Sequence, residues 1–296
     1  MPDATILRGR DVDESRPGKH TDQEMIAKLR PSHASGTAKR EGARRVGGRL
    51  AVQILIFGTF LALWEYASGR WVAALFVSSP TDVADTILEW LGDGTLLANA
   101  LFTFRAALMG FAIGGVVALV FGYLLGVSRY WSGVMEPFIT ALYALPKVAI
   151  IPLLIIWVGI GQTLAVVVSS LIVFLLLFYN TFYGIREVST ALINAVRIMG
   201  GSWIDVALKV RLPSAFVWII AGARISVPQA LVGVVTAEIL AGNKGLGYLV
   251  SFNAGQFNTA GTLAAVTTLL FIGLLLDRLV SLVSRRALAW QGDRSR

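Results

Sequence analysis

The sequence contains no cysteine and only two histidines, His20 and His33, which both lie in a polar N-terminal segment. Without cysteine, disulfides and thiolate metal sites are excluded. Because neither histidine falls in an apolar run, histidine-ligated haem or zinc inside a membrane is excluded as well. The chain also lacks the G-x-x-x-x-G-K-[ST] phosphate loop, so it carries no ATPase site of that type.

Charged residues are scarce. They make up 15% of the chain, against about 25% in soluble domains, whereas hydrophobic residues make up 55%. The mean hydropathy is +0.69. A helix needs about 20 apolar residues to cross a bilayer, and the 296 residues hold several such runs. The composition therefore predicts an all-α membrane protein with several spans.

Six spans are predicted from the apolar runs, and a seventh, amphipathic helix is expected outside the membrane near residues 82–91. The third span contains Pro146 and Pro152, which interrupt its backbone hydrogen bonds. The predicted spans cover residues 50–67, 96–127, 134–158, 163–183, 215–237 and 261–283.

Three regions follow from the composition. Residues 1–49 hold eleven Lys and Arg and seven Asp and Glu, with no sustained apolar period. Such a segment buries too little apolar surface to offset its ordering entropy, so a disordered tail is predicted. Residues 50–286 form the predicted six-helix transmembrane domain, and residues 287–296 form a short C-terminal tail.

The positive charges set the predicted orientation, because Lys and Arg accumulate in cytoplasmic segments. Of the 26 Lys and Arg residues, 21 fall in the two tails and in the loops on the same side, whereas only Arg70 and Lys244 fall on the other side. Both termini and the loop 186–213 are therefore predicted to be cytoplasmic. The net charge of +8 reflects this topology and gives no reason to expect a nucleic-acid partner.

The loop 186–213 is polar and lies between long apolar runs. A short helix is predicted up to Met199, a turn at Gly200-Gly201, and a second helix capped by Ser202 and ended by Pro213. A basic helical hairpin in an otherwise apolar chain is typical of a docking element for a soluble partner. An ordinary connecting loop is the alternative.

The order of residues in this loop resembles a known motif. Asn194-Ala195 is followed by Gly200 six residues after Asn194 and by Pro213 thirteen residues after Gly200, as in the EAA loop of ABC importer permeases. The likeness covers roughly residues 78–286 and is strongest to the nitrate/sulfonate/taurine-type permeases. The loop departs from the family at Asn194, where Glu is usual, and at Val196, where Ala is usual.

This resemblance implies a type I ABC importer transmembrane domain that works by alternating access in the bacterial inner membrane. It implies three kinds of protein partner: ABC ATPase subunits, an extracytoplasmic substrate-binding protein and a second copy of the permease. ATP and Mg are expected in the partner ATPase; no catalytic residue, metal or cofactor is expected in this chain. The residues implied for ATPase docking are Asn194, Ala195, Val196, Arg197, Met199, Gly200, Gly201 and Ser202.

Charges at membrane depth are costly and usually face a cavity or a partner. Lys147, beside Pro146, is therefore predicted to line the translocation pathway, and Trp157 is included in the same set. Arg105 and Glu238 complete this set. The alternative for these two residues is that they pair with each other in a structural role.

Cationic groups in the pathway favour a small anion of the sulfonate, nitrate or carboxylate type. A neutral pyrimidine or flavin-like heterocycle is the alternative substrate. A membrane enzyme is disfavoured because no clustered acid/base pair is present in the spans. A secondary transporter is disfavoured because no inverted repeat is visible and a docking hairpin would have no use there.

Overall fold

The computed structural model describes residues 35–71, 73 and 76–287, and the regular elements in this part of the chain are all helical. The predicted all-α class is therefore confirmed. The helices are α1 (Ser35–Ala67), α2 (Pro80–Gly92), α3 (Thr95–Val127), α4 (Arg129–Ala144), α5 (Ile151–Val158), α6 (Gln162–Arg186), α7 (Thr190–Ile198), α8 (Trp203–Asp205), α9 (Leu212–Ala241), α10 (Leu246–Gly255) and α11 (Thr259–Ala287).

The chain divides into two units, residues 1–60 and 61–296. In the first unit, residues 1–34 lie outside the described residues, and α1 begins at Ser35, within the segment predicted to be a tail. The side chains from Gly48 to Phe60 are exposed and mostly apolar. Residues Gly48–Ala67 are long and apolar enough to cross a membrane, in agreement with the first predicted span.

In the second unit, α3 packs against α6 along a line of small residues. Were Gly122 to carry a Cβ, that atom would lie 2.9 Å from the Cβ of Thr181, and at Gly126 it would lie 3.0 Å from the Cβ of Ile185. Each partner follows its glycine by 59 positions, so the two helices run parallel. Glycine is required here because it lets two helices approach closely within a membrane.

Helix α9 packs on α6 in the opposite direction. Gly184 lies against Trp218, and Gly222 lies against Asn180, so the residue number falls on one helix as it rises on the other. Helix α6 therefore lies between α3 and α9, and it carries many of the buried side chains, including Leu164, Val168, Val173 and Phe182. This central position makes α6 the core of the bundle.

The third predicted span is broken, as its two prolines suggested. Helix α4 is bent by 86° from the segment that follows it, a 3₁₀ turn (Lys147–Ile150) continuing into α5. Pro146 precedes the turn and Pro152 lies in the first turn of α5, where a missing N–H is tolerated.

The number of spans follows from the packing. Five helical stretches in the described residues are long and apolar enough to cross a membrane, or six if the bent pair is one span. Because α3 and α6 are parallel, the chain between them must cross back once, so α4 and α5 together form one span. The prediction of six spans is thus supported by this packing.

Helix α2 begins at a capping box, in which the Ser79 hydroxyl accepts a hydrogen bond from the Asp82 N–H and the Asp82 carboxylate accepts one from the Ser79 N–H. Hydrogen bonds from the Ser79 side chain and backbone lower the pKa of Asp82. Leu96, Leu246 and Leu249 form a buried cluster that joins α3 and α10, with side chains of α2 packed against it. Helix α10 itself was not predicted from the sequence.

Candidate functional site

The hairpin formed by residues 186–213 turns at two glycines. Gly200 has a φ of +82°, which favours glycine, and the Gly201 N–H donates to the Val196 carbonyl at 2.9 Å. A Cβ on Gly201 would lie 2.5 Å from Cγ1 of Val196. The predicted turn is present, and each glycine is needed for a different reason: Gly200 for its backbone conformation and Gly201 for space.

The predicted cap of the second helix is confirmed. The Ser202 hydroxyl accepts from the Asp205 N–H at 3.2 Å, and the Asp205 carboxylate accepts from the Ser202 N–H at 2.9 Å. Lys209 Nζ lies 2.6 Å from Asp205 Oδ1 and forms an ion pair with it. These bonds fix the chain direction where it leaves the turn.

The prediction that Pro213 ends this helix is wrong. Helix α8 continues through a π-helical segment (Val206–Arg211) directly into α9, and Pro213 lies in the first turn of α9. The Leu212 N–H donates to the Ala207 carbonyl, five residues earlier. Because the widened turn has already changed the hydrogen-bond register, the missing N–H of Pro213 does not break the helix.

A small apolar cluster holds the hairpin together. Val188 and Ile193 pack against Val206 and Val210, with Val196 partly buried beside them. These contacts join α7 to the π-helical segment. The hairpin is therefore a packed structure with its own core, in contrast to an open connecting loop.

The residues predicted to dock an ATPase lie mostly on the outside of this hairpin. Asn194, Ala195, Arg197, Met199, Gly200 and Ser202 are exposed, whereas Val196 and Gly201 are partly buried. Sequence reasoning missed Ile198 and Trp203, which are 87% and 77% exposed beside Met199 at 85%. We call Ile198, Met199 and Trp203 the exposed tip. Apolar side chains flanking a glycine turn were the signal that could have identified it.

Glu238 lies at the opposite end of the bundle and is 2% exposed. Its two carboxylate oxygens each lie 2.9 Å from the Thr103 hydroxyl, and the Gly247 N–H donates to it at 2.8 Å. The Leu246 N–H donates to the same Thr103 hydroxyl at 2.9 Å. The buried carboxylate is thus bound by neutral donors, which partly offset its loss of hydration.

The loop before α10 wraps around this carboxylate. Gly245 has a φ of +106°, and a Cβ there would collide with the Glu238 carboxylate. The Gly245 N–H donates to Asn99 Oδ1 at 2.7 Å. Sequence reasoning missed Thr103 and Asn99, although two polar residues four positions apart in an apolar helix place both on one face.

Arg105 and Glu238 are not brought together. Arg105 is exposed, and in the described chain its guanidinium forms no ion pair with Glu238. The two residues lie on different helices, α3 and α9. The structural pairing suggested as an alternative is therefore absent.

Lys147 lies at the bend of the broken span and is partly buried. Its Nζ donates to the Tyr143 carbonyl at 3.3 Å and lies 5.1 Å from the centroid of the Tyr143 ring. The Tyr143 ring is 4.7 Å from Tyr179, whose ring is 4.5 Å from Tyr183. A cation and a row of tyrosines, which sequence reasoning missed, therefore line one side of α4 and α6.

Two of these tyrosines, Tyr143 and Tyr179, also line a cavity of about 160 Å³, whose other walls are apolar and aromatic side chains such as Phe174. Trp157, near the end of α5, is 67% exposed. The four predicted pathway residues thus lie on separate elements, and within the described residues no hydrogen bond or ion pair joins any two of them.

Candidate membrane spans, together with a packed hairpin that carries an exposed apolar tip, define an integral membrane protein. Residues 114–288 match the family described as the binding-protein-dependent transport system inner membrane component. This is more than half of the chain, so the protein belongs to that family of multi-pass ABC importer permeases, which are transport components and not ATPases.

Relatives and solved structures agree with this assignment. The chain is 29% identical to the putative aliphatic sulfonates transport permease protein SsuC of Bacillus subtilis, over 91% of this chain and 98% of the relative. It is 35% identical to the riboflavin transport system permease protein RibX of Chloroflexus aurantiacus, over 74% and 82%. The inward-facing MetNI methionine ABC transporter matches with a TM-score of 0.55 and 20% identity, covering 63% of this chain and 93% of that one. The fold is that of a type I ABC importer transmembrane domain.

Proposed function

We propose that this permease subunit docks its ATPase through the hairpin and moves a small anion of the sulfonate type into the cytoplasm. The single observation that carries the docking assignment is the exposed tip of Ile198, Met199 and Trp203 on a hairpin with its own packed core. Exposing apolar side chains to water is unfavourable in free energy, and burial against a partner surface removes this unfavourable contribution. Because the core is fixed, motion of the partner is transmitted to α9 through the continuous π-helical segment.

The hairpin lies at the cytoplasmic face in this proposal, together with both termini. The charge distribution supports this orientation, since 21 of the 26 Lys and Arg residues fall on that side. We further propose a homodimer, because one chain supplies one hairpin and a pair of ATPases needs two. The N-terminal tail, residues 1–49, remains a proposed cytoplasmic extension.

Lys147 supports an anionic substrate. The residue is partly buried at the bend of the third span, and no carboxylate pairs with its ammonium among the described residues. An unpaired cation at the break of a membrane helix is suited to a passing anion. The sulfonates named for the Bacillus subtilis relative have this charge.

A neutral heterocycle is the second candidate. The tyrosine row and the cavity that Tyr143 and Tyr179 line offer ring faces for stacking, and the Chloroflexus aurantiacus relative is named for riboflavin. In this case Lys147 would serve only to fix the bend, through its bond to the Tyr143 carbonyl.

One experiment separates these candidates. The permease is reconstituted in nanodiscs with its ATPase and its binding protein, and ATP hydrolysis is measured with an alkanesulfonate, taurine, nitrate, riboflavin or a pyrimidine. Stimulation by a sulfonate is expected. Stimulation by riboflavin or a pyrimidine alone would replace the anion by the heterocycle, and substrate uptake by the permease without an ATPase would contradict the docking role itself.

A further inference from the structure

Two arginines face a cavity between the last turns of α3 and the hairpin. The cavity has a volume of about 300 Å³, and its lining includes Tyr123, Arg197, Trp203 and Arg211. Arg211 Nη1 donates to the Val127 carbonyl at 3.0 Å, whereas its Nε is buried without a hydrogen-bond partner in the described residues. The bond to Val127 holds the Arg211 guanidinium beside the cavity, at the end of α3.

The positive charge of this cavity is not neutralised by its own walls. Arg197 and Arg211 are the charged members of the lining, and no carboxylate is among them. The nearest acidic residue along the helix, Asp205, is held by Lys209 and Ser202 and does not line the cavity. The cavity is therefore suited to an anion.

A second cavity adjoins the first. Its volume is about 400 Å³, and it shares Tyr123, Trp203 and Ala207 with the arginine-lined cavity. The rest of its lining is apolar and consists of Ile204, Leu208 and Leu212. A cavity with two arginines beside an apolar cavity fits an amphiphile with an anionic head and a hydrocarbon tail.

We propose that these two cavities bind one anionic phospholipid, with its phosphate between Arg197 and Arg211 and an acyl chain along Leu208 and Leu212. The position supports this occupant, because α3 ends and α9 begins here, at the boundary of the membrane-spanning helices. A guanidinium group can donate two parallel hydrogen bonds to the oxygens of one phosphate. Basic pockets at the cytoplasmic ends of membrane helices bind anionic lipid headgroups. An acidic side chain of a protein partner would satisfy the arginines but would leave the apolar cavity unfilled.

A lipid in this site contacts both α3 and the hairpin. It therefore stabilises one position of the hairpin relative to the bundle, so that the anionic lipid content of the membrane sets how strongly ATP hydrolysis is linked to transport. This inference rests on the proposed cytoplasmic position of the hairpin, but lipid binding can be measured on the permease alone, without the ATPase or the proposed substrate.

The test uses the purified full-length permease in neutral detergent and native mass spectrometry with added phosphatidylglycerol or phosphatidylcholine. One molecule of phosphatidylglycerol is expected to bind tightly. Arg211→Gln is expected to lower its affinity about fivefold, because the variant loses one basic group near the anionic headgroup. Arg211→Lys keeps the charge and is expected to retain most of the binding. Lys209→Gln is the matched control, because it removes the same charge two residues away on an exposed side chain outside the cavity.

Equal weakening in Arg211→Gln and Lys209→Gln would overturn the proposal, because it would indicate general surface attraction. Displacement of the lipid by inorganic phosphate at equal concentration would overturn it in favour of a free-anion site. Displacement by the ATPase subunit would overturn it in favour of a protein partner. If Arg211→Gln does not fold, Arg197→Gln provides the same comparison from an exposed position.

Discussion

Thr103 and Glu238, which are 135 residues apart in the sequence, meet in the interior of the bundle, where the threonine hydroxyl lies 2.9 Å from both carboxylate oxygens. The same hydroxyl accepts a hydrogen bond from the Leu246 N–H. One small side chain thus joins α3, α9 and α10. These hydrogen bonds hold the three helices together at the end of the bundle opposite the hairpin.

Thr103→Val is therefore expected to destabilise the permease. The substitution keeps the shape of the side chain but leaves the buried carboxylate and the Leu246 N–H each short of one partner, at a cost of about 1 to 3 kcal/mol. The thermal unfolding of the detergent-purified protein measures this. Thr103→Ser keeps the hydroxyl and is expected to lose less. Equal losses in both variants would mean that packing, and not the hydroxyl, is what matters at this position.

Gly245→Ala is expected to disrupt the loop around Glu238. It combines an unfavourable φ of +106° with a collision between the new Cβ and the Glu238 carboxylate. Gly94→Ala separates the two effects, because Gly94 has a φ of +80° and nothing within 4 Å of a Cβ. Thermal unfolding is expected to show a loss of about 1 kcal/mol for Gly94→Ala and a larger loss for Gly245→Ala. Similar losses would show that the carboxylate does not restrict this loop.

The local features of the hairpin could be predicted from the sequence, because a glycine turn and a serine cap depend on neighbouring residues. Pro213 was misinterpreted because a π-helical segment depends on packing against the rest of the bundle, which leaves no local pattern. The contact of Thr103 with Glu238 could not be predicted either, since nothing near Glu238 in the sequence indicates which helix supplies its donor.

The six spans were predictable because apolar runs of sufficient length are a strong signal. Helix α10 was missed for the opposite reason: it has only ten residues and follows a turn that contains Gly242 and Gly245. Its formation depends on contacts of Leu246 and Leu249 with α3 and α11, which form only in the folded bundle.

Met199→Asp is expected to weaken ATPase docking without destabilising the permease. Met199 is 85% exposed, so a charge there costs little in the free subunit but would be buried at an apolar partner surface. The measurement is the amount of ATPase that co-purifies with the permease. Leu88→Asp is a control at an exposed apolar position on α2, outside the predicted spans and away from the hairpin, and is expected to leave co-purification unchanged. Full ATPase recovery with Met199→Asp would contradict docking at the exposed tip.

Gly200→Val is expected to uncouple ATP hydrolysis from transport. There is open space around Gly200, so the substitution acts through the backbone, whose φ of +82° is strongly unfavourable for a β-branched residue. The hairpin would turn differently and transmit less of the ATPase motion to α9. The ratio of substrate uptake to ATP hydrolysis in proteoliposomes measures this. Gly133→Val, at an exposed helical glycine with open space and no positive φ, is the matched control. An unchanged ratio in Gly200→Val would mean that the hairpin is only a connector.

Lys147→Met is expected to impair the substrate-stimulated ATP turnover of the assembled complex, because it removes the unpaired ammonium at the bend while keeping a long apolar stem. Lys147→Arg keeps the charge and is expected to retain most of the stimulation. Lys244→Met removes an exposed charge from the loop before α10 and serves as the control.

The thermal stability of each variant separates a pathway role from a structural one, since Lys147 also donates to the Tyr143 carbonyl. A pathway role predicts reduced stimulation with unchanged stability. A loss of stability that fully accounts for the reduced turnover, or normal stimulation in Lys147→Met, would remove Lys147 from the pathway and with it the main support for an anionic substrate.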